Sequence, residues 1–186
     1  MNIICDTAII VNFLKINRID LLDRSSHTFL VSDHVQQEIA LDYPAQLKRF
    51  QKALKKSIIQ KIPGEDSEEF DLFAALFKTG QLSVCESATL AAAAYRGYSL
   101  ATDDSQVIDQ AELLMAPNRI LRTQNIVVAL INENLLTDES ADQLLDAWAT
   151  NLRFKHPTFE TLFPEDSLLQ ETSLQWGIFP LILKSG

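Results

Sequence analysis

Apolar residues fall along the chain in short runs separated by stretches of helical length. Asn2 to Cys5 reads as a strand with Asp6 and Thr7 at its end. Ala8 to Ile16, broken only by Asn12 and Lys15, reads as a buried helix that Ile19 to Leu22 extend past a break near Asn17. Phe29 to Val31 is a second strand, and Ser32 is a natural N-cap for a helix from Asp33 to about Leu41. Tyr43-Pro44 marks a boundary before an amphipathic helix, Ala45 to Lys56, with Leu47, Phe50 and Leu54 inward. Ile58 to Ile62 is a third strand closed by Pro63-Gly64, and the acidic stretch Glu65 to Asp71 opens a helix ending between Phe77 and Gly80.

The stretch Gln81 to Asp104, QLSVCESATLAAAAYRGYSLATDD, carries the strongest local signals. Ser83 caps a helix favoured by Ala88, Leu90 and Ala91 to Ala94; Gly97 stops it in the C′ position, and Tyr98 to Ala101 follow as a short buried strand. The helix from Glu86 to Arg96 rises roughly 15 Å at ~1.5 Å per residue, and the strand from Tyr98 to Thr102 returns roughly 17 Å at ~3.3 Å per residue. Glu86 and the Asp103-Asp104 pair therefore return to the same end of the fold. Asp104 to Leu114 is the next helix, Pro117-Asn118 turn into a strand from Arg119 to Arg122, and Thr123 to Asn134 and Thr137 to Asn151 are two further helices.

Strands each followed by helix predict an α/β fold, a three-layer α/β/α sandwich around a central parallel sheet of about five strands. The expected division is one domain over 1–151 and a C-terminal extension over 152–186. In the extension Pro157, Pro164 and Pro180 and an apolar patch from Trp176 to Leu183 break the pattern.

Composition narrows the function classes. A hydrophobic content of 47% in 186 residues supports a single core of ordinary size. No apolar run approaches the ~20 residues of a membrane span, so no membrane partner is expected, and MNIICDTAII lacks the basic start of a signal peptide. Cys5 and Cys85 have no metal-ligand spacing and fit free thiols of a reducing cytoplasm. A net charge of −9 argues against bulk nucleic-acid binding but is compatible with a nuclease that combines a carboxylate cluster with a local basic patch. Lys48, Arg49, Lys52, Lys55, Lys56 and Lys61 form one dense basic run. Positions 48, 52, 55 and 56 share a helix face, which is either a phosphate-contacting arm or a solvated surface. His27, His34 and His156 form no triad or zinc set.

Four places put carboxylates at the C-terminal edge of the predicted sheet: Asp6, Glu38, Glu86 and Asp103-Asp104. Glu38 lies six residues past Ser32, roughly 9 Å down its helix at ~1.5 Å per residue. Clustered carboxylates repel and raise one another's pKa values. A divalent cation removes that penalty, and oxygen-only ligands select Mg2+ or Mn2+. Such an ion activates water and stabilises charge on phosphate, so metal-assisted phosphodiester hydrolysis suits the arrangement.

The segments IICDTAIIVNFL, VSDHVQQEI and CESATLAAAAYRGYSLATDD together resemble the PIN-domain family, small metal-dependent nucleases that include the VapC-like toxins of bacterial toxin–antitoxin pairs. RTQNIVVALINENLL is similar to the closing segment of a PIN subgroup with Glu as third acid and an Asp-Asp pair as fourth. The resemblance runs from about Met1 to Leu136. It implies Asp6, Glu38, Glu86 and Asp104 as catalytic acids, with Asp6, Glu86, Asp103 and Asp104 as metal ligands for Mg2+ or Mn2+. It further implies an RNA substrate, a homodimer and an antitoxin protein as partner. Two departures stand out: the third acid is Glu where many toxins have Asp, and the tail after Asn151 exceeds a compact toxin.

Each residue also has a purely structural explanation. Ser83-Val84-Cys85-Glu86 fits a capping box in which Glu86 serves the helix. Asp6 is placed to cap the helix after it, and Glu38 is placed as a solvated helix residue. Asp103 is a ligand in place of Asp104, a supporting group behind it, or a helix cap. Thr7, Asn12 and Thr102 are polar near the same edge, as substrate or supporting groups or as ordinary caps. The rival from another class is a non-catalytic PIN-like module that binds RNA or a protein partner. An aspartate-nucleophile phosphatase fits poorly, because Thr7-Ala8 follow Asp6 instead of a second acid two residues on; a receiver domain fails for want of an acidic pair at strand one.

Overall fold

Side-chain alternation along three strands sets the layering. In β1 (Asn2–Cys5), Ile3 and Cys5 enter one core cluster and Ile4 the other. Phe29 and Val31 separate from Leu30 in β2 (Thr28–Val31), and Ala101 from Leu100 in β4 (Ser99–Ala101), in the same way. A sheet buried on both faces needs a helical layer on each. This computed structural model, which describes residues 1–64 and 67–152, supplies them. The first face carries α1 (Thr7–Lys15), α2 (Asp20–Arg24), α4 (Pro44–Lys55), α8 (Thr123–Asn132) and α9 (Asp138–Leu152); the second carries α5 (Ser67–Lys78), α6 (Val84–Arg96) and α7 (Ser105–Glu112). The remaining helix, α3 (Asp33–Asp42), touches both α1 and α6 and so lies across the edge between the layers.

All strand pairs are parallel, in the order β3-β2-β1-β4-β5, where β3 is Gln60–Lys61 and β5 is Ile120–Leu121. The expected three-layer α/β/α sandwich is therefore present. The order reverses between β1 and β4, and a crevice outside the carboxyl ends of the strands at such a switch point is the usual place for a ligand site.

The two edge strands are shorter than predicted. Of Ile58 to Ile62, only Gln60 and Lys61 pair with β2, because an edge strand has one neighbour and Pro63 removes the next donor. Of Arg119 to Arg122, only Ile120 and Leu121 pair, since Pro117–Arg119 form a 3-10 turn. Residues 65–66 and 153–186 lie outside the described residues, and with them His156 and the prolines and apolar patch of the expected extension.

The α6–β4 unit forms as predicted. Ser83 accepts from the Glu86 N–H, and Gly97 sits at φ +68°, the left-handed conformation that ends a helix without penalty for glycine. Ala91, Ala92 and Ala93 are wholly buried, so their small side chains let the helix lie close on the sheet. Arg96 in the last turn reaches across to α5 and to the residues that follow β3. Its Nε donates to Glu69 of α5 at 2.6 Å, and its terminal nitrogen donates to the carbonyls of Pro63 and Gly64, both at 2.9 Å. Glu69 is only 2% exposed, so Glu69→Ala leaves a largely buried guanidinium without its charge partner. Urea unfolding is expected to show a loss of about 3 kcal/mol; a loss below about 1 kcal/mol would mean that water replaces the carboxylate freely.

Candidate active site

Asp6 leaves the end of β1 with its N–H bonded to the Ala101 carbonyl of β4, so the carboxylate sits at the switch point. Its two oxygens are fixed separately. Oδ1 accepts from the Thr7 N–H at 2.7 Å, and Oδ2 accepts from the Thr102 hydroxyl at 3.0 Å. The capping role expected for Asp6 is thus real, but it occupies one oxygen only. The residue is 6% exposed, and burial together with the charges of Glu86 and Glu38 pushes its pKa up to about 6, against the lowering effect of the two hydrogen bonds. Among the described residues, no Lys or Arg forms an ion pair with Asp6.

Two threonines tie the other acids to this point. The Thr102 hydroxyl, which donates to Asp6, accepts from the Asp104 N–H at 3.2 Å. Asp104 is exposed and caps α7 by accepting from Gln106 and Val107 through Oδ1. The Thr7 hydroxyl donates to Glu38 Oε2 at 2.9 Å and lies 3.4 Å from the Cys85 sulfur. Glu38 thus reaches the end of β1 from its place along α3, because α3 crosses the edge. Its solvated-face explanation fails at that contact.

Glu86 is half-buried, and both arms of its capping box are formed, with Oε2 accepting from the Ser83 N–H at 2.7 Å. Its charge nevertheless raises the Asp6 pKa, so it stands in the electrostatic field of the same crevice.

Asp103 is held at both oxygens by Thr123. Its Oδ1 accepts from the Thr123 N–H at 2.9 Å and its Oδ2 from the Thr123 hydroxyl at 2.6 Å, while Asn12 donates to that hydroxyl at 3.5 Å. Thr123 joins β4, β5 and α1 at the edge and is buried, yet the sequence singles it out only as the first residue of a helix. The one local signal was its position within two residues of a strand's end, where Thr7 and Thr102 also stand. Tyr43, half-buried at the start of α4, is a second residue the sequence treats only as a boundary; burial and the charges of Glu38, Asp42 and Asp6 raise its pKa.

The donor set is carboxylate and hydroxyl oxygen, which suits a hard divalent cation. A buried carboxylate without a cationic partner and with two acids nearby is what such an ion would neutralise. Among the described residues, no group of three His, Cys, Asp or Glu is already drawn around one point. Glu38, Glu86, Asp103 and Asp104 are each held apart by a protein donor. Oε1 of Glu86 and Oδ2 of Asp104 take no part in those bonds.

A carboxylate whose folded pKa exceeds its unfolded value binds its proton more tightly when folded. The contribution of Asp6 to stability is then greatest below about pH 4 and falls as pH rises to about 6. At ~1.4 kcal/mol per unit the penalty at neutral pH approaches 3 kcal/mol. In EDTA, Asp6→Asn is therefore expected to be more stable than the parent at pH 8, by about 1–3 kcal/mol, with the gain gone at pH 4. Urea unfolding at the two pH values checks this, and an equal difference at both would remove the charge penalty from the account.

A family model described as a PIN domain matches residues 2–161. No significant similarity to a curated protein or to a solved structure was found. PIN domains are generally nucleases and typically use divalent metals. The match spans every strand and helix described above, and the chain belongs to the PIN-domain family.

Proposed function

We propose that the chain is a metal-dependent endoribonuclease that hydrolyses RNA phosphodiester bonds, using Mg2+ or Mn2+ and the acids Asp6, Glu38, Glu86 and Asp104. The observation that carries this reading is Asp6: a buried carboxylate with a raised pKa, no cationic partner among the described residues, and two further acids close enough to act on it. When bound, a divalent cation would neutralise this cluster and supply the Lewis acidity that activates water and stabilises the charged phosphate.

The chain's own groups divide the remaining work. Asp6 is oriented by Thr7 and Thr102 and forms the deep end of the metal site, with Glu86 and Asp104 at its more exposed rim. Glu38, oriented by the Thr7 hydroxyl, is positioned to accept a proton from the attacking water. Asp103 and Asn12 act through Thr123, holding the β4–β5 edge in register behind the ligands.

A toxin role in the cytoplasm, as a homodimer restrained by an antitoxin protein, is the finer form of the proposal. The two free, buried thiols Cys5 and Cys85 support a reducing compartment. Exposed Phe70 and Phe77 on α5, with ring centroids 5.8 and 6.1 Å from Phe73 between them, support a self-association face. Residues 1–151 would form the nuclease domain and 152–186 an appended segment. The second reading, a non-catalytic module that binds RNA or a protein, draws on the completed capping box, which gives Glu86 a structural reason to be there.

Purified protein with Mn2+ is expected to cleave single-stranded RNA, and Asp6→Asn to lower kcat/KM by more than ~100-fold. Equal cleavage by the variant would sink the assignment. Glutamine also completes a capping box, so Glu86→Gln should keep its Tm while cleavage falls at least ~10-fold. Unchanged cleavage would leave Glu86 as a cap alone.

A further inference from the structure

Beyond the acids, the chain holds a cleft of about 690 Å³ where α1 gives way to α2, and α4 forms its opposite wall. Lys48, Arg49, Lys52 and Lys56 line that wall, with Asn17 and Asp20 facing them. In a chain of net charge −9 this is a concentrated exception. Asp20 is within 3.6 Å of Arg18, and among the described residues no ion pair engages Lys48, Lys52 or Lys56. Three lysines and an arginine around one opening repel each other, and a polyanion relieves that repulsion while releasing its own counterions.

The cleft also has a direction. Arg49 donates to the Leu14 carbonyl at 3.2 Å. Leu14 lies seven residues along α1 from Thr7, roughly 10 Å at ~1.5 Å per residue. Tyr43, the residue before α4, carries the Lys15 ammonium 5.4 Å from its ring centroid and packs against the core. The cations recur along α4 at positions 48, 49, 52 and 56, on the helix that follows the one carrying Glu38. A groove lined by cations tracks the backbone of a single nucleic-acid strand without reading its sequence.

We propose that the α2–α4 cleft binds the phosphate backbone of the RNA strand on one side of the scissile bond. This rests on the nuclease reading above and adds to it a substrate track remote from the reacting atoms. Lys55 lies outside the cleft, so the basic face expected over positions 48, 52, 55 and 56 is narrowed to 48, 52 and 56, joined by Arg49.

The test is equilibrium binding of a fluorescent single-stranded RNA to the Asp6→Asn protein, with and without Lys48→Gln, Lys52→Gln and Lys56→Gln together. All three side chains are exposed, so the Tm should hold. Affinity should fall at least ~10-fold at 0.1 M salt, and the slope of log K against log salt should flatten by about 2, from ~0.7 per phosphate contact on a single strand. A charge-matched control, Lys55→Gln, Lys61→Gln and Lys78→Gln together, should stay within about two-fold, since none of the three lines the cleft. If wild-type protein cleaves RNA while the triple variant keeps the parent's affinity and slope, the track is wrong and the nuclease stands. If neither protein binds RNA and wild type does not cleave it, both readings fail. Retained RNA affinity with loss of polyglutamate binding in the triple variant would assign the cleft to an acidic protein partner and overturn the proposal.

Discussion

A carboxylate buried at the end of the central strand, with no cation beside it among the described residues, is the constraint on which the site depends. Placing Asp6 there is unfavourable, and the raised pKa measures the strain between its charge and its surroundings. The fold tolerates it because the carboxylate is not left bare: a backbone N–H and a threonine hydroxyl each take one oxygen. Those bonds orient the group without neutralising it. A protein that needed only a helix cap could place it in water, where the same bonds carry no burial penalty.

The surrounding architecture serves that position. The parallel sheet puts β1 and β4 side by side with their carboxyl ends together, which brings Asp6 and Thr102 within hydrogen-bonding distance although 96 residues separate them in the chain. The helix α3 crosses the edge and delivers Glu38, and the first turn of α6 delivers Glu86. Threonine recurs at the strand ends, as Thr7, Thr102 and Thr123, each passing a hydrogen bond to an acid. Hydroxyls suit this role because one side chain both donates and accepts.

Much of this was legible in the sequence, for identifiable reasons. Strand ends, the Ser32 and Ser83 caps and the Gly97 stop are local signals, and they placed Asp6, Glu86 and Asp104 on the right elements. The match between a helix rising and a strand returning brought Glu86 and Asp104 to one edge without any tertiary information. What local patterns cannot carry is the path of a helix relative to its neighbours. Glu38 was expected at the sheet edge, but its bond to Thr7 depends on the crossing of α3. The same limit hid Thr123, whose partners Asp103 and Asn12 come from β4 and α1, and the Arg96–Glu69 pair, whose members lie on different helices. Asp103 and Asp104 were interchangeable on paper. Their backbone positions separate them, one turned to β5 and the other opening α7.

If the buried charge of Asp6 exists to hold a metal, a crystal soaked in Mn2+ decides it. The anomalous difference map should show a peak within about 2.0–2.3 Å of an Asp6 oxygen, with a carboxylate of Glu86 or Asp104 drawn to the same ion. A map with no peak at Asp6 at neutral pH, with Glu86 still closed on Ser83 and Asp104 on its helix, would contradict the account.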